Sequence, residues 1–172
     1  MPTNLFLKLI AIIPLFICTS CKNYSVSLNQ NEIYNPVKVF TDFKLIDTAL
    51  QQCVDRIIKE NKLTKPEQLQ SVICGPTGIV TLEGLAFFDS ITHLGVRDNK
   101  VANIEAISHL KQLKQLDISN NLIKDISPIF TLETLEYVNL EGLEAIPCRQ
   151  VAALEKARPA LRIAKPSQCG IR

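Results

Sequence analysis

The sequence predicts an α/β fold: a short solenoid with a parallel concave sheet, closed by a helical cap at its N-terminal end and by a second cap at its C-terminal end. Three observations predict it. Apolar residues recur at a step of 22 through the middle of the chain, the signature of stacked coils. Upstream, apolar residues are spaced as on one face of a helix. Downstream the period breaks at a Pro-punctuated segment, and cysteines mark both junctions. The 172 residues, 47% hydrophobic and 21% charged, suffice for one domain with appendages. Nineteen basic against 17 acidic residues exclude a general electrostatic nucleic-acid binder. The lack of Trp and the 6% aromatic content exclude a base-stacking platform.

Residues 1–20 stand apart from the fold. A weakly positive start with Lys8 leads into the uncharged run from Leu9 to Ile17, then to Thr19, Ser20 and Cys21. This is the layout of a secretory signal peptide. The run is shorter than the roughly 20 apolar residues a membrane span needs, and Pro14 interrupts it. Its end resembles a bacterial lipobox, in which a small residue, here Ser20, precedes the cysteine that is lipidated and becomes the new N-terminus, here Cys21. Cys18 stands where that family usually has Leu, and bulky Ile17 precedes Cys18 itself. The alternative is a plain secreted protein with an incidental Cys21. The resemblance implies palmitate-type acyl chains on Cys21, and several chains anchor stably where one does not. Lys22 in place of Asp implies the outer membrane, with the periplasmic or surface side left open. The leader removes one Lys and no acid, so the mature chain stays near neutral.

Residues 21–40 read as a tether. Asn, Gln and Ser dominate the first half without a sustained period, and Val37 and Phe40 are placed to dock on the neighbouring cap. Residues 41–68 read as the N-terminal cap. Phe43, Ile46, Leu50, Cys53 and Ile57 form one helical face, with Thr41 or Asp42 to cap its start and an end near Asn61. Thr64 and Glu67 then have the spacing of a capping box.

Residues 69–147 carry the repeat. The step takes Leu94 to Leu116 to Val138, Ile91 to Leu113 to Leu135, and Val96 to Ile118 to Leu140. It takes Asn99 to Asn121, Val101 to Ile123, Ile104 to Ile126, Ile107 to Ile129 and Leu110 to Leu132. Stepping back finds Val72, Cys74, Ile79, Leu82, Leu85 and Phe88 in register. The pattern L-x-x-L-x-L-x-x-N-x-I/V resembles the leucine-rich repeat. The period of 22 with "DISPI" after the Asn is similar to the internalin-type subclass. L-x-L places two side chains on one face of a strand, pointing into the core. Asn99 and Asn121 turn inward where the chain bends and are structural, because a buried amide needs polar partners. Thr77 and Leu143 occupy this slot in the flanking copies, so about three and a half coils are expected, near the lower limit for a stable array.

Residues 148–172 read as the C-terminal cap. A helix over 149–157, with Val151, Ala152 and Leu154 as its apolar part, is stopped by Pro159, and Leu161 and Ile163 alternate as in a final extended segment. Four cysteines remain after the leader, an even number in an exported chain. Of three possible pairings, locality favours Cys53–Cys74 and Cys148–Cys169. No close C-x-x-C pair follows the leader, so zinc is not favoured, and neither a metal nor a cofactor is expected.

Between the inward residues, side chains leave the concave sheet in three columns: Ser71, His93, Gln115 and Tyr137; Ile73, Gly95, Asp117 and Asn139; Gly75, Arg97, Ser119 and Glu141. His93, Arg97, Gln115, Asp117, Ser119, Tyr137, Asn139 and Glu141 are therefore the candidate partner contacts, with Arg97 and Tyr137 foremost because interfaces are enriched in both types. Arg97 also lies diagonally across from Asp117, close enough to pair with it. Four strands of about 17 Å at ~4.8 Å spacing offer roughly 300 Å², against about 800 Å² for a standard interface. The expected partner is a protein, peptide or glycan, with no nucleic acid. The expected function is a non-catalytic binding module of a bacterial envelope lipoprotein. The internalin-type resemblance leaves a host-directed surface or secreted adhesin or effector as the alternative. Catalysis is disfavoured: His93 is concave, His109 lies on the far side of the coil, and no G-x-S-x-G, H-E-x-x-H or P-loop occurs.

Overall fold

The computed structural model describes residues 26–28, 31–34 and 37–170. Residues 1–20 and Cys21 lie outside them. The chain divides into two units, Met1–Pro36 and Val37–Arg172. In the first, β1 (Val26–Leu28) and β2 (Asn31–Tyr34) pair antiparallel, with an irregularity between Val26 and Ser27. The stretch read from sequence as a plain tether thus contains a two-stranded ribbon.

The second unit is a solenoid. Its sheet runs β3 (Ser71–Ile73), β4 (His93–Gly95), β5 (Gln115–Asp117), β6 (Tyr137–Asn139) and β7 (Arg162–Ala164), all parallel and in that order. Val72, Leu94, Leu116 and Val138 stand opposite one another and are buried, because each strand turns its central residue inward. The other slots of the 22-residue step, through Phe88, Leu110 and Leu132, are buried as well. The chain returns behind the sheet through 3₁₀ turns at Leu85–Phe87, Glu105–His109 and Ser127–Thr131.

Asn99 and Asn121 hold the bends. Asn99 Oδ1 accepts from the N–H groups of Thr77, Gly78 and Ile79 in the preceding coil, and its amide donates to the carbonyls of Gly75, Val96 and Arg97. Asn121 repeats this one coil later, accepting from Val101 N–H and donating to Val96, Ile118 and Ser119. Each amide therefore satisfies backbone groups of two coils that would otherwise be buried without partners, a loss of about 1–3 kcal/mol per group. Leu143 in the last copy is simply buried, and the amide ladder ends.

The N-terminal cap differs from expectation at its start. Helix α1 spans Thr48–Glu60, and Asp47, not Thr41 or Asp42, caps it by accepting from Leu50 N–H. Phe43 and Ile46 lie before the helix. Phe43 joins a cluster with Phe40, Phe87 and Phe88 at ring separations of 5.0–6.4 Å, whereas Ile46 is 68% exposed. The buried helical face is Leu50, Cys53, Val54 and Ile58. Docking begins inside the expected tether: Phe40 N–H donates to Leu63 O at 3.1 Å, while Val37 remains exposed. The turn after Asn61 is closed by Gln68 rather than Glu67, its Oε1 accepting from the N–H groups of Thr64 and Lys65. A disulfide joins Cys53 of α1 to Cys74 beside β3.

The C-terminal cap is helix α2, Cys148–Ala157, followed by β7. Val151 and Leu154 are buried, but Ala152 is exposed, one position off the apolar stripe. Arg158, just past the helix, donates to the carbonyls of Leu132, Glu133 and Leu135 at 2.7–3.0 Å. Cys148 and Cys169 are joined by a second disulfide. Among the described residues, no helix is long and apolar enough to cross a membrane.

Candidate functional site

Strand register brings most of the sequence-derived contact residues into two straight columns. Ser71, His93, Gln115, Tyr137 and Arg162 stand opposite one another, as do Ile73, Gly95, Asp117, Asn139 and Ala164. A parallel sheet repeats the same face every strand, about 4.8 Å apart, so five strands carry each column about 19 Å from first to last. His93, Tyr137, Asp117 and Asn139 are half-buried and Gln115 is exposed.

Local chemistry sorts these side chains. Thr92 Oγ1 and His93 Nδ1 lie 2.8 Å apart, so one ring nitrogen of His93 is engaged, while the other has no hydrogen-bond partner among the described residues. The Arg162 guanidinium sits 5.5 Å from the centre of the Tyr137 ring, within cation–π range. Sequence reasoning missed Arg162 because it comes from the cap, 25 rather than 22 residues after Tyr137. It also gave no weight to Ile73, which is 60% exposed. Ile73 leans on Gly95: a β-carbon there would lie 3.0 Å from Ile73 Cδ1. This places an apolar step beside His93.

The third column departs from expectation in two ways. Ser119 is 2% exposed, with its hydroxyl donating to Asp117 Oδ1 at 2.6 Å and its N–H donating to the same oxygen. It is spent on shaping the chain's exit from β5 and is withdrawn as a contact residue. Arg97 is exposed and pairs at 3.0 Å with its neighbour Asp98, not with Asp117. Asp98 in turn accepts from the Asn120 amide, and these two donors, Asn120 first, hold its carboxyl below the usual range. Glu141 is exposed, and Asn139 Oδ1 accepts from its N–H. The surface that remains joins Ile73, His93, Gln115, Asp117, Tyr137 and Arg162, flanked by Arg97 and Glu141. It offers an apolar contact, an aromatic ring, both charges and several hydrogen-bonding groups.

Among the described residues, no group of three or more His, Cys, Asp or Glu is placed to hold a metal ion. His93 and His109 lie on a strand and on a return turn, respectively.

The family model for two copies of the leucine-rich repeat matches residues 89–131. The match covers the two coils built around β4 and β5. The rice (Oryza sativa subsp. japonica) acidic leucine-rich nuclear phosphoprotein 32-related protein 1 is 27% identical over 104 residues, 58% of this chain and 21% of that protein. The chain thus spans about a fifth of that relative's length. Among solved structures, the leucine-rich repeat solenoid is similar to two internalins of Listeria monocytogenes. Internalin C2 gives a TM-score of 0.58 at 19% identity, over 68% of this chain and 53% of that one. The internalin inlF gives 0.52 at 20% identity, over 56% and 30%. These likenesses establish the fold: a short leucine-rich repeat solenoid with a five-stranded parallel sheet.

Proposed function

We propose that this leucine-rich repeat module is the non-catalytic, partner-binding part of a bacterial envelope lipoprotein, and that its partner is a protein segment, peptide or glycan held on the concave sheet. The observation that carries the reading is the pair of register-locked columns. They present His93, Gln115, Asp117, Tyr137 and Arg162 outward while the inward set fills the core. Such outward positions can vary without opening cavities, so recognition can be written there independently of folding. The strands are three residues each, so the face is small compared with a standard interface. A short extended ligand fits it better than a second globular surface. Two disulfides support an oxidising compartment, and the leader with Ser20-Cys21 supports lipid attachment.

The test begins with partner capture by the intact protein. Tyr137→Ala and Arg162→Ala are then compared with Lys124→Ala, a control at an exposed position off the sheet. Loss of about 1–2 kcal/mol or more at the two sheet positions, with melting unchanged, is the hot-spot result. Weakening only at Lys124 rejects the concave site. Intact mass of membrane-extracted protein tests the acyl-modified Cys21. Protease shaving of whole cells separates a periplasm-facing lipoprotein from the alternative, a host-directed surface adhesin.

A further inference from the structure

The two disulfides close loops of the same length, 21 residues apart in sequence, but stand in opposite surroundings. Cys53 and Cys74 are 3% and 1% exposed and belong to the core. Cys148 is exposed and Cys169 half-buried. Both line an open recess of about 560 Å³, together with Arg149, Ala152, Lys165, Gln168 and Gly170. A sulfur-bearing wall that solvent-sized molecules can reach is what thiol–disulfide exchange requires, and the inner disulfide lacks it.

The recess is also electropositive. Cys148 is the first residue of the ten-residue helix α2, and the N-cap, Pro147, offers the helix no side-chain bond. Gln150 N–H is bonded to Pro147 O at 2.8 Å, and the positive end of the helix still stabilises a sulfur anion at Cys148. Arg149 adds a full charge and forms no ion pair among the described residues, whereas Lys165 is paired with Glu155 at 2.6 Å.

We propose that Cys148–Cys169 is a thiol–disulfide exchange site for an anionic low-molecular-weight thiol. The incoming thiolate attacks Cys169 Sγ and forms a new S–S bond there. The Cys148–Cys169 bond breaks, and its electron pair leaves on Cys148 Sγ as a thiolate. The incoming sulfur is oxidised to the disulfide level and Cys148 is reduced, so electrons balance with no further reagent. Cys148 is the leaving group because the helix N-terminus and Arg149 stabilise a thiolate there. The cap tolerates the opening. Strand β7 stays bonded to β6 through Leu140 N–H to Ala164 O at 2.8 Å, Leu161 and Pro166 stay buried, and Gln168 donates to Leu143 O. This chemistry does not depend on what the concave face binds.

The test exposes the folded protein to reduced glutathione, an anionic thiol, and in parallel to neutral 2-mercaptoethanol, without denaturant. Products are followed by intact mass and peptide mapping. The expected product carries one glutathione on Cys169, a free Cys148 and an intact Cys53–Cys74 bond, with the melting transition still cooperative. Arg149→Ala is expected to slow both thiols, because the departing Cys148 thiolate loses a neighbouring charge, and to slow glutathione by a further factor of about two to five, the worth of one exposed charge contact with its carboxylates. Opening of both disulfides together, opening of Cys53–Cys74 first, or an adduct on Cys148 overturns the site. Equal slowing of both thiols by Arg149→Ala overturns the anionic class.

Discussion

The two ends of the solenoid solve one problem by different means. Each must cover a coil whose apolar residues and backbone groups would otherwise meet water. The N-terminal cap does it with apolar mass. Leu50, Val54 and Ile58 of α1 close the first coil, the four phenylalanines seal its return side, and the disulfide lies inside. The C-terminal cap does it with directed bonds. Strand β7 continues the hydrogen-bond ladder, Arg158 takes three carbonyls of the last coil, and the disulfide lies outside. Nonpolar burial depends on filled volume, whereas hydrogen bonds to fixed carbonyls depend on distance and direction. The first cap should therefore be sensitive to side-chain volume and the second to bonding geometry.

Volume gives the largest expected effect. Leu50→Ala at the first cap should cost about 2–5 kcal/mol by chemical denaturation, the range for emptying a fully buried Leu site. Less than about 1 kcal/mol would show that apolar mass does not close that end. Next come the disulfides. With equal loops, Cys53→Ser and Cys148→Ser should each cost about 3 kcal/mol in the chain-entropy model, and the double variant should be additive within about 0.5 kcal/mol, because the ends communicate only through intervening coils. A strongly non-additive pair would break the picture of independent caps. Arg158→Ala should cost about 1.5–3 kcal/mol, since the lost bonds are charge-assisted. Arg158→Lys should recover only part, because an ammonium lacks the planar fork that reaches three carbonyls. Full rescue by Lys would make the contact one of charge alone.

The smallest effect separates the caps by pH. Burial would raise the Asp47 carboxyl pKa, but the N–H groups of Val80, Leu50, Thr81 and Ala49 together hold it below the usual carboxylate range. A lowered folded value means that stabilisation is complete above the unfolded pKa and is lost as pH falls through the folded one. Asp47→Ala should cost about 1 kcal/mol at neutral pH. Its deficit relative to the parent should shrink as melting is measured at progressively lower pH, down through that lowered value. A deficit that stays constant with pH would mean that the cap acts by shape and not by charge.

Much of this was legible in the sequence wherever one physical rule fixes the residue. The inward slots must be apolar and of near-constant volume, so the step of 22 located the core from Val72 to Leu143. The inward Asn residues were legible because a buried amide must find partners. Tertiary partnership was not. Phe43 and Ile46 fit helical spacing, yet one packs in an aromatic cluster and the other faces solvent, so the helix starts only at Thr48. Ser119 sits on an outward column, but its hydroxyl prefers a local carboxylate. Arg162 entered the candidate site through a strand outside the repeat, which no period could reveal.

Positions 98, 120 and 142 share one turn of successive coils, and all three take left-handed backbone, with φ of 56°, 50° and 69°. Asn120 reaches back to Asp98 with its amide nitrogen, at 2.6 Å. Forward, its Oδ1 lies only 1.7 Å from where a β-carbon on residue 142 would stand. With Asn120 in that pose, only glycine fits after it. The column therefore has a polarity and a terminus: an acid opens it, an amide spans it and a glycine ends it. A further 22-residue unit with a side chain at this place could follow Asn120 only if that amide swung aside, and a coil added beyond Gly142 would find no side chain there to grip. The number of coils is thus recorded at the rim, in residues that take no part in the core.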